Sequence, residues 1–278
     1  MKSGARPDRR AQRARGGRAD AGGVLLAVDA GNTNVVVGVF EGPRLKARYR
    51  LSSLSNRTAD EVFLRLEDLV ERNGWEARSG GGRMALCSVV PTLTPSLAAA
   101  GERMFGRPTL VVTHELPIGL TYKVPDPSTL GADRLVNMVA AIRLYGGPAI
   151  IVDLGTATTF DAVTARGVCL GGAIAPGIET SSEELYRRAA RLARVELKRP
   201  PRAIGRNTEE NIQSGVIFGA VGQVDGIVER IRKEMGGKPK VIATGGLAEV
   251  VARDSATIQK VDPELTLRGL KVIAEKLG

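Results

Sequence analysis

The stretch AIIVDLGTATTFDAV, residues 149–163, decides the fold. Its apolar opening, Ala149 to Val152, reads as a buried strand. Asp153, Gly155, Thr156, Thr158 and Thr159 then fall in and around a tight turn, and Phe160, Ala162 and Val163 resume an extended pattern. A hairpin with such a polar tip suits a phosphate. Glycine lets backbone N–H groups approach an anion, hydroxyls donate further hydrogen bonds, and the carboxylate can hold a cation that offsets phosphate charge. The design occurs twice, because VLLAVDAGNTNVVVGVF, residues 24–40, also runs apolar strand, Asp29, Gly31, Thr33, apolar strand. The Asp-x-Gly-x-Thr hairpin and its Asp153-Leu154-Gly155-Thr156-Ala157-Thr158 counterpart predict a duplicated α/β fold with one ligand held between the copies.

The flanking segments fit that duplication. After the first hairpin come a strand at Arg44–Leu51, a helix at Thr58–Arg72 with Val62, Leu66 and Leu69 at helical spacing, a central strand at Arg83–Val90, a helix at Leu93–Met104 and a strand at Pro108–Thr113. The second half opens with a helix from near Gly131, whose buried face is read from Leu135, Val139 and Ile142. The hairpin of residues 149–163 follows, then a strand at Val168–Ala175 and a helix from about Thr180. Asn207 and Glu210 resemble a capping pair for a long helix with Ile212, Val216, Ala220, Val224, Ile227 and Ile231 in period. A strand at Lys240–Ala243, a turn at Thr244-Gly245-Gly246, a short helix at Leu247–Val251 and a last helix at Glu264–Leu277 complete the chain. The order of three strands, helix, strand, helix therefore repeats, and the halves are read as residues 23–128 and 129–278, after a tail of residues 1–22.

With 278 residues, 43% of them hydrophobic and 25% charged, the chain can bury a real core. No apolar run approaches the roughly 18–20 residues of a membrane span, so no membrane partner is expected. Cys87 and Cys169 lie far apart in apolar segments without CxxC spacing and read as core thiols, which fits a reducing cytoplasm. A single histidine, His114, reads as a loop residue and leaves little room for a histidine-based zinc site or a Ser-His-Asp triad. The formal charge of +10 is uneven, since Lys2, Arg6, Arg9, Arg10, Arg13, Arg15 and Arg18 crowd the tail. That tail reads as a disordered segment or the product of an upstream start codon; a nucleic-acid arm is the rival, and a secretory signal is disfavoured because Val24–Val28 is short and ends at Asp29. A second basic run from Arg187 to Arg206 could attract anions, although a solvated helix face explains it more simply.

Thr244-Gly245-Gly246, between a strand and a helix, supplies a third backbone-lined contact for a nucleotide. Together with the two hairpins it completes the pattern of the actin, Hsp70 and sugar-kinase superfamily, while neither a Walker A sequence nor the protein-kinase His-Arg-Asp set is present. From about Leu25 to Leu277 the chain closely resembles the type III pantothenate kinases. The resemblance rests on DAGNTN (29–34), TYKVPDPSTLGADR (121–134), DLGTATTFDAV (153–163), GGAIAPGIE (171–179), IGRNTEENIQSG (204–215), ATGG (243–246) and DPELTLRGL (262–270). It departs at Leu192-Ala193, where a Leu-Pro step is usual in the family, and at the Arg-rich tail.

The resemblance implies duplicated actin-like ATPase (ribonuclease H-like) domains, with mixed sheets flanked by helices. It also implies ATP-dependent phosphorylation of pantothenate to 4′-phosphopantothenate, the first step of coenzyme A synthesis, by a homodimer. Asp29, Ala30, Gly31, Asn32, Thr33, Asn34, Val35 and Val36 would form the first phosphate loop, with Asp29 directing a metal or positioning the phosphoryl group. Thr156, Gly245 and Gly246 would also contact ATP, which brings Mg2+ or a similar divalent ion. Asp153 would bind a monovalent cation, K+ or NH4+. Gly131, Ala132, Asp133, Arg134, Tyr122 and Thr208 would hold pantothenate, with Asp133 accepting the proton of its primary hydroxyl and Thr208 reaching across a dimer interface. Simpler readings stand beside these: Asp133 as a first-turn carboxylate that favours the helix dipole and stays ionised, Arg134 as a surface residue, Thr208 as part of a helix start. The rival functions are another small-molecule kinase of the superfamily and a non-enzymatic accessory protein that binds nucleic acid weakly through its tail.

Overall fold

The computed structural model describes residues 23–52, 57–74, 81–189 and 191–278. The expected tail, residues 1–22, lies outside them. Strands β1 (Val24–Ala30), β2 (Asn34–Glu41) and β3 (Arg44–Ser52) form an antiparallel meander. Helix α1 (Ala59–Glu71) then leads to β4 (Arg83–Ser88), which pairs parallel with β1, and α2 (Thr94–Phe105) leads to β5 (Leu110–Val111). The sheet order is β3-β2-β1-β4-β5.

The second half repeats this plan. After β6 (Thr121–Tyr122), a single 3-10 turn at Pro127–Thr129 and α3 (Ala132–Tyr145), the strands β7 (Ala149–Leu154), β8 (Ala157–Val163) and β9 (Val168–Pro176) form a second meander. Helices α4 (Ile178–Arg188) and α5 (Thr208–Met235) lead to β10 (Lys240–Thr244), and α6 (Ala248–Ala252) leads to β11 (Lys260–Val261). The order β11-β10-β7-β8-β9-β6 reproduces the first sheet with one strand added at its edge. Helix α7 (Leu265–Leu277) follows β11.

Local chemistry accounts for these boundaries. Thr58 caps α1 through a capping box with Glu61, and Asn207 caps α5 by accepting from the Glu210 amide at 2.8 Å. Gly106, in a left-handed conformation at φ 65°, ends α2. The expected strand at Pro108–Thr113 shrinks to two residues, and β6 and β11, also two residues each, were not foreseen. Such short edge pairings carry no alternation long enough to recognise. Helix α4 starts at Ile178, directly after Gly177, rather than at Thr180. Cys87 and Cys169 are both buried free thiols.

The largest difference from expectation is α3. Seven consecutive residues, Leu135 to Ala141, are buried, so the helix has no solvent face over that length, and Ile142 is only partly buried. The cause is its position. Helices α3 and α7 pack on each other, α7 lies against β1, β2 and β4, and α3 lies against β7, β8 and β4. One core therefore joins Leu25, Ala27 and Ala85 of the first sheet to Ile151, Val163 and Ile242 of the second, through Leu135, Met138, Leu267 and Leu270. Outer cores lie on the far faces, under α1 and α2 on one side and α5 and α6 on the other. In α5 the buried stripe is Ile212, Ile217, Ala220, Val224 and Val228, so Val216, Ile227 and Ile231 are only partly covered.

Leu270 is fully buried in the core that joins the sheets. Leu270→Ala is expected to lower stability by about 2–5 kcal/mol through lost burial and the cavity left behind. Urea unfolding checks this: the midpoint falls while the slope stays near that of the parent protein.

Candidate active site

Both hairpin tips point into one cleft between the sheets. A cavity of about 290 Å³ is lined by Asp29, Gly31, Asn32, Thr33, Asn34 and Val36 from the first hairpin and by Asp153, Gly155, Thr156 and Thr159 from the second. The Thr33 and Thr156 hydroxyls lie 3.0 Å apart, so the tips touch across 123 residues of sequence. Gly31 and Gly155 spend their N–H groups closing the turns, on the carbonyls of Asn34 at 2.9 Å and Ala157 at 3.1 Å. An anion is therefore met by the hydroxyls and by the amides beyond the glycines, rather than by the glycine amides themselves. Ala30 and Val35 are fully buried partners in the ladder and offer no side chain to the cleft.

The third loop is pressed against the second hairpin. Gly245 has φ +95°, and a Cβ there would come within 2.5 Å of the Leu154 carbonyl oxygen, so only glycine fits. Thr244, Gly245 and Gly246 all line the cleft.

Asp133 reaches the same cleft from the first turn of α3. Its Oδ1 accepts the Arg134 amide at 2.7 Å and folds back over Gly131, where any Cβ would collide with it. Burial raises the Asp133 pKa, and the Arg134 amide and charge oppose this only in part. The carboxylate is thus a better base than the fully ionised first-turn residue expected from sequence. Asp29 is pushed up to about 7 by burial, then by the charges of Asp133 and Asp153, while the Cys87 thiol beside it in the ladder acts in the opposite sense. Asp153 is likewise raised to about 7 by burial and by Asp133. Among the described residues no group of three His, Cys, Asp or Glu side chains is arranged to hold a metal ion.

Sequence reading missed two buried polar residues behind this cluster. Asn137, buried within α3, donates to Asp153 Oδ2 at 3.1 Å and accepts from the Thr266 hydroxyl of α7 at 2.8 Å. Asp161, on β8 and 1% exposed, binds Arg134 through Nε at 2.8 Å and Nη2 at 2.6 Å. Each was visible as a lone polar residue in an apolar run, a pattern that in a packed interior demands a partner. The Arg134 charge is therefore balanced by Asp161 instead of lying free for a ligand. Gly131, Ala132 and Arg134 flank the cleft without lining it, and Tyr122 stands apart, its hydroxyl donating to the His114 carbonyl at 3.2 Å. Thr208 lies elsewhere, in an apolar groove between α4 and α5 with Ile178, Leu185, Ile212 and Val216. In the basic run Arg187 and Arg188 pair with Glu184, Arg194 with Glu183, Lys198 with Glu196 and Arg199 with Asp254, which makes it chiefly a solvated, internally paired face.

The family model described as type III pantothenate kinase matches residues 25–230. The chain is 48% identical over 253 residues to the type III pantothenate kinase of Moorella thermoacetica, covering 91% of this chain and 99% of that protein. It is 47% identical over 252 residues to the type III pantothenate kinase of Roseiflexus castenholzii, covering 91% and 98%. Among solved structures it matches the ROK hexokinase of Thermus thermophilus with a TM-score of 0.52 at 15% identity, over 92% of this chain and 100% of that one, a likeness of fold. Two mixed sheets flanked by helices agree with the duplicated actin-like fold expected from sequence.

The carboxylate cluster sets a pH dependence for the ligand-free protein. The folded state holds protons on Asp29 and Asp153 up to about pH 7, whereas both have a reference value of 3.8, so the folded state binds more protons across that window. Their contribution to stability is complete below 3.8 and is lost as the pH rises through 7. Carboxylates with lowered values, such as Asp225 and Asp254, act in the opposite sense but at the acid end. Melting temperature is thus expected to fall between about pH 5 and 7.5, and less so in Asp153→Asn. A flat or rising curve there would contradict the assigned protonation.

Proposed function

This chain belongs to the type III pantothenate kinase family, and from that premise we propose how its own cleft moves the γ-phosphoryl group of ATP to the primary hydroxyl of pantothenate. The observation that carries the reading is the convergence on one cleft of two hydroxyl-tipped hairpins, the Gly245-Gly246 turn and the Asp133 carboxylate. Phosphoryl transfer asks chiefly for positioning and charge compensation. In this proposal residues 29–36 and Thr156 orient the triphosphate, Gly245 and Gly246 admit the nucleoside close to the backbone, and the divalent ion arrives on the phosphates. Asp133 orients the acceptor hydroxyl and takes its proton as the bond to phosphorus forms. A pKa raised by burial makes it a stronger base for that exchange.

In this proposal a monovalent cation sits beside Asp153, whose buried carboxylate feels the like charge of Asp133. Bound there, K+ or NH4+ would supply local charge neutralisation. The pantothenate end is assigned to Gly131, Ala132, Arg134 and Tyr122. Arg134, with its charge held by Asp161, serves there as a fixed N–H donor.

We further propose a homodimer. Support comes from the apolar groove that contains Thr208, from Leu185 at 40% and Ile204 at 85% exposure, and from Gly215 and Gly219 on α5, where a side chain would point into open space. A second copy seated there would carry Thr208 toward a neighbouring cleft. The two halves, read from sequence as residues 23–128 and 129–278, are proposed as the units that close on the nucleotide, although Thr121–Tyr122 pairs into the sheet of the second. A cytoplasmic setting suits the two buried thiols. Among the described residues no helix is long and apolar enough to cross a membrane.

A coupled kinase assay with ATP and pantothenate, in potassium and in sodium, tests the reading. Turnover is expected with pantothenate and to be faster in potassium. Asp133→Asn is expected to lower kcat by about 10²–10⁴ with nucleotide binding retained. Equal rates in the two salts would remove the cation assignment, and full activity in Asp133→Asn would remove the base.

A further inference from the structure

The cleft has an electrostatic problem of its own. Its lining carries four acidic residues, Asp29, Asp133, Asp153 and Glu179, against two cationic ones, Arg48 and Arg50. A nucleoside triphosphate adds about four negative charges at neutral pH, of which one divalent ion offsets two. Arg134, the other guanidinium nearby, is committed to Asp161. The cleft's own lining therefore supplies positive charge to a phosphate chain only through Arg48 and Arg50.

Their placement follows from β3. Along this edge strand Arg44, Lys46, Arg48 and Arg50 alternate with the partly buried Leu45, Ala47, Tyr49 and Leu51, which puts the four cations on exposed positions. Charged residues on an edge strand ordinarily discourage pairing with other chains. Two observations separate Arg48 and Arg50 from that role. Lys46 is paired with Glu41 at 2.8 Å and Arg44 lies outside the cleft lining, whereas Arg48 and Arg50 line the cleft and have no hydrogen-bond or ion-pair partner among the described residues. Arg50 also spans the cleft: it pairs in the ladder with Val36 of the first hairpin, yet its Nη1 lies 4.0 Å from where a Cβ on Gly246 would stand. It thus bridges the first phosphate loop and the glycine turn of the opposite half, along the line a nucleotide joining them would follow.

We propose that Arg50, supported by Arg48, is a binding residue for the phosphates of the nucleotide, without a partner among the described residues and poised between the two halves. This rests on the kinase reading above and adds to it a contact from the edge strand of the first sheet. Guanidinium–phosphate bonds are charge-assisted and bidentate, so lysine replaces arginine only partly.

The test is direct binding, by calorimetry without pantothenate, of the Mg2+ complex of a non-hydrolysable ATP analogue and, separately, of adenosine. Arg50→Ala is expected to weaken the analogue about ten- to a hundredfold while leaving adenosine unchanged. Arg50→Lys should recover part of that loss. Arg44→Ala, on the same strand but outside the cleft, should match the parent protein. In turnover the loss should fall on KM for ATP and leave KM for pantothenate in place. Analogue binding within twofold of the parent in both Arg50→Ala and the Arg48→Ala, Arg50→Ala double variant would overturn the proposal. An equal loss for adenosine would overturn it too, by moving the contact to the base. A parent protein that binds the analogue and leaves pantothenate unphosphorylated would end the acceptor assignment without touching this one.

Discussion

The packing of α3 against α7 between the two sheets is the constraint on which the rest of the molecule depends. Both helices enter one core shared by the two sheets, α3 touching strands of each and α7 those of the first, so neither sheet has a complete interior without them. The arrangement also locates the chemistry. The N-terminus of α3 delivers Asp133 to the cleft, its middle holds Asn137 under Asp153, and α7 answers with Thr266. A buried amide left unpaired costs on the order of 1–3 kcal/mol, so the Thr266–Asn137–Asp153 chain ties the orientation of a cleft carboxylate to correct docking of the two helices.

The same packing explains why the cleft is so acidic. Three carboxylates converge because three different elements end there: β1 with Asp29, α3 with Asp133 and β7 with Asp153. Burial raises all three, and the charge of Asp133 raises Asp29 and Asp153 further, so a site rich in acids is less charged on its own than its composition suggests. Cations brought by or with the substrates would reverse that, which links occupancy of the cleft to its protonation. Asp161 lies outside this group, its charge paired with Arg134, and neither residue lines the cleft.

Much of this was legible in the sequence, for a local reason. The hairpins, each tipped by an aspartate, a glycine and threonine hydroxyls, depend on alternation and turn chemistry within about fifteen residues, and the repeat of three strands, helix, strand, helix follows from the same short-range signals. Asp29, Asp133, Asp153, Thr156 and the glycine turn were named from those signals and from family resemblance, and they meet in one cleft. Tertiary structure alone decided what depends on partners far apart in the chain. The pairing of Arg134 with Asp161, the bridge from Asp153 through Asn137 to Thr266, and the approach of Arg50 to Gly246 each join residues that no periodicity connects. It also decided that α3 is buried over Leu135–Ala141, because a sheet on either side, not the helix's own pattern, sets how much of a helix is covered. Sequence determined which side chains carry charge and where the turns fall. Only packing settled which of those charges are spent inside the protein and which remain for a ligand.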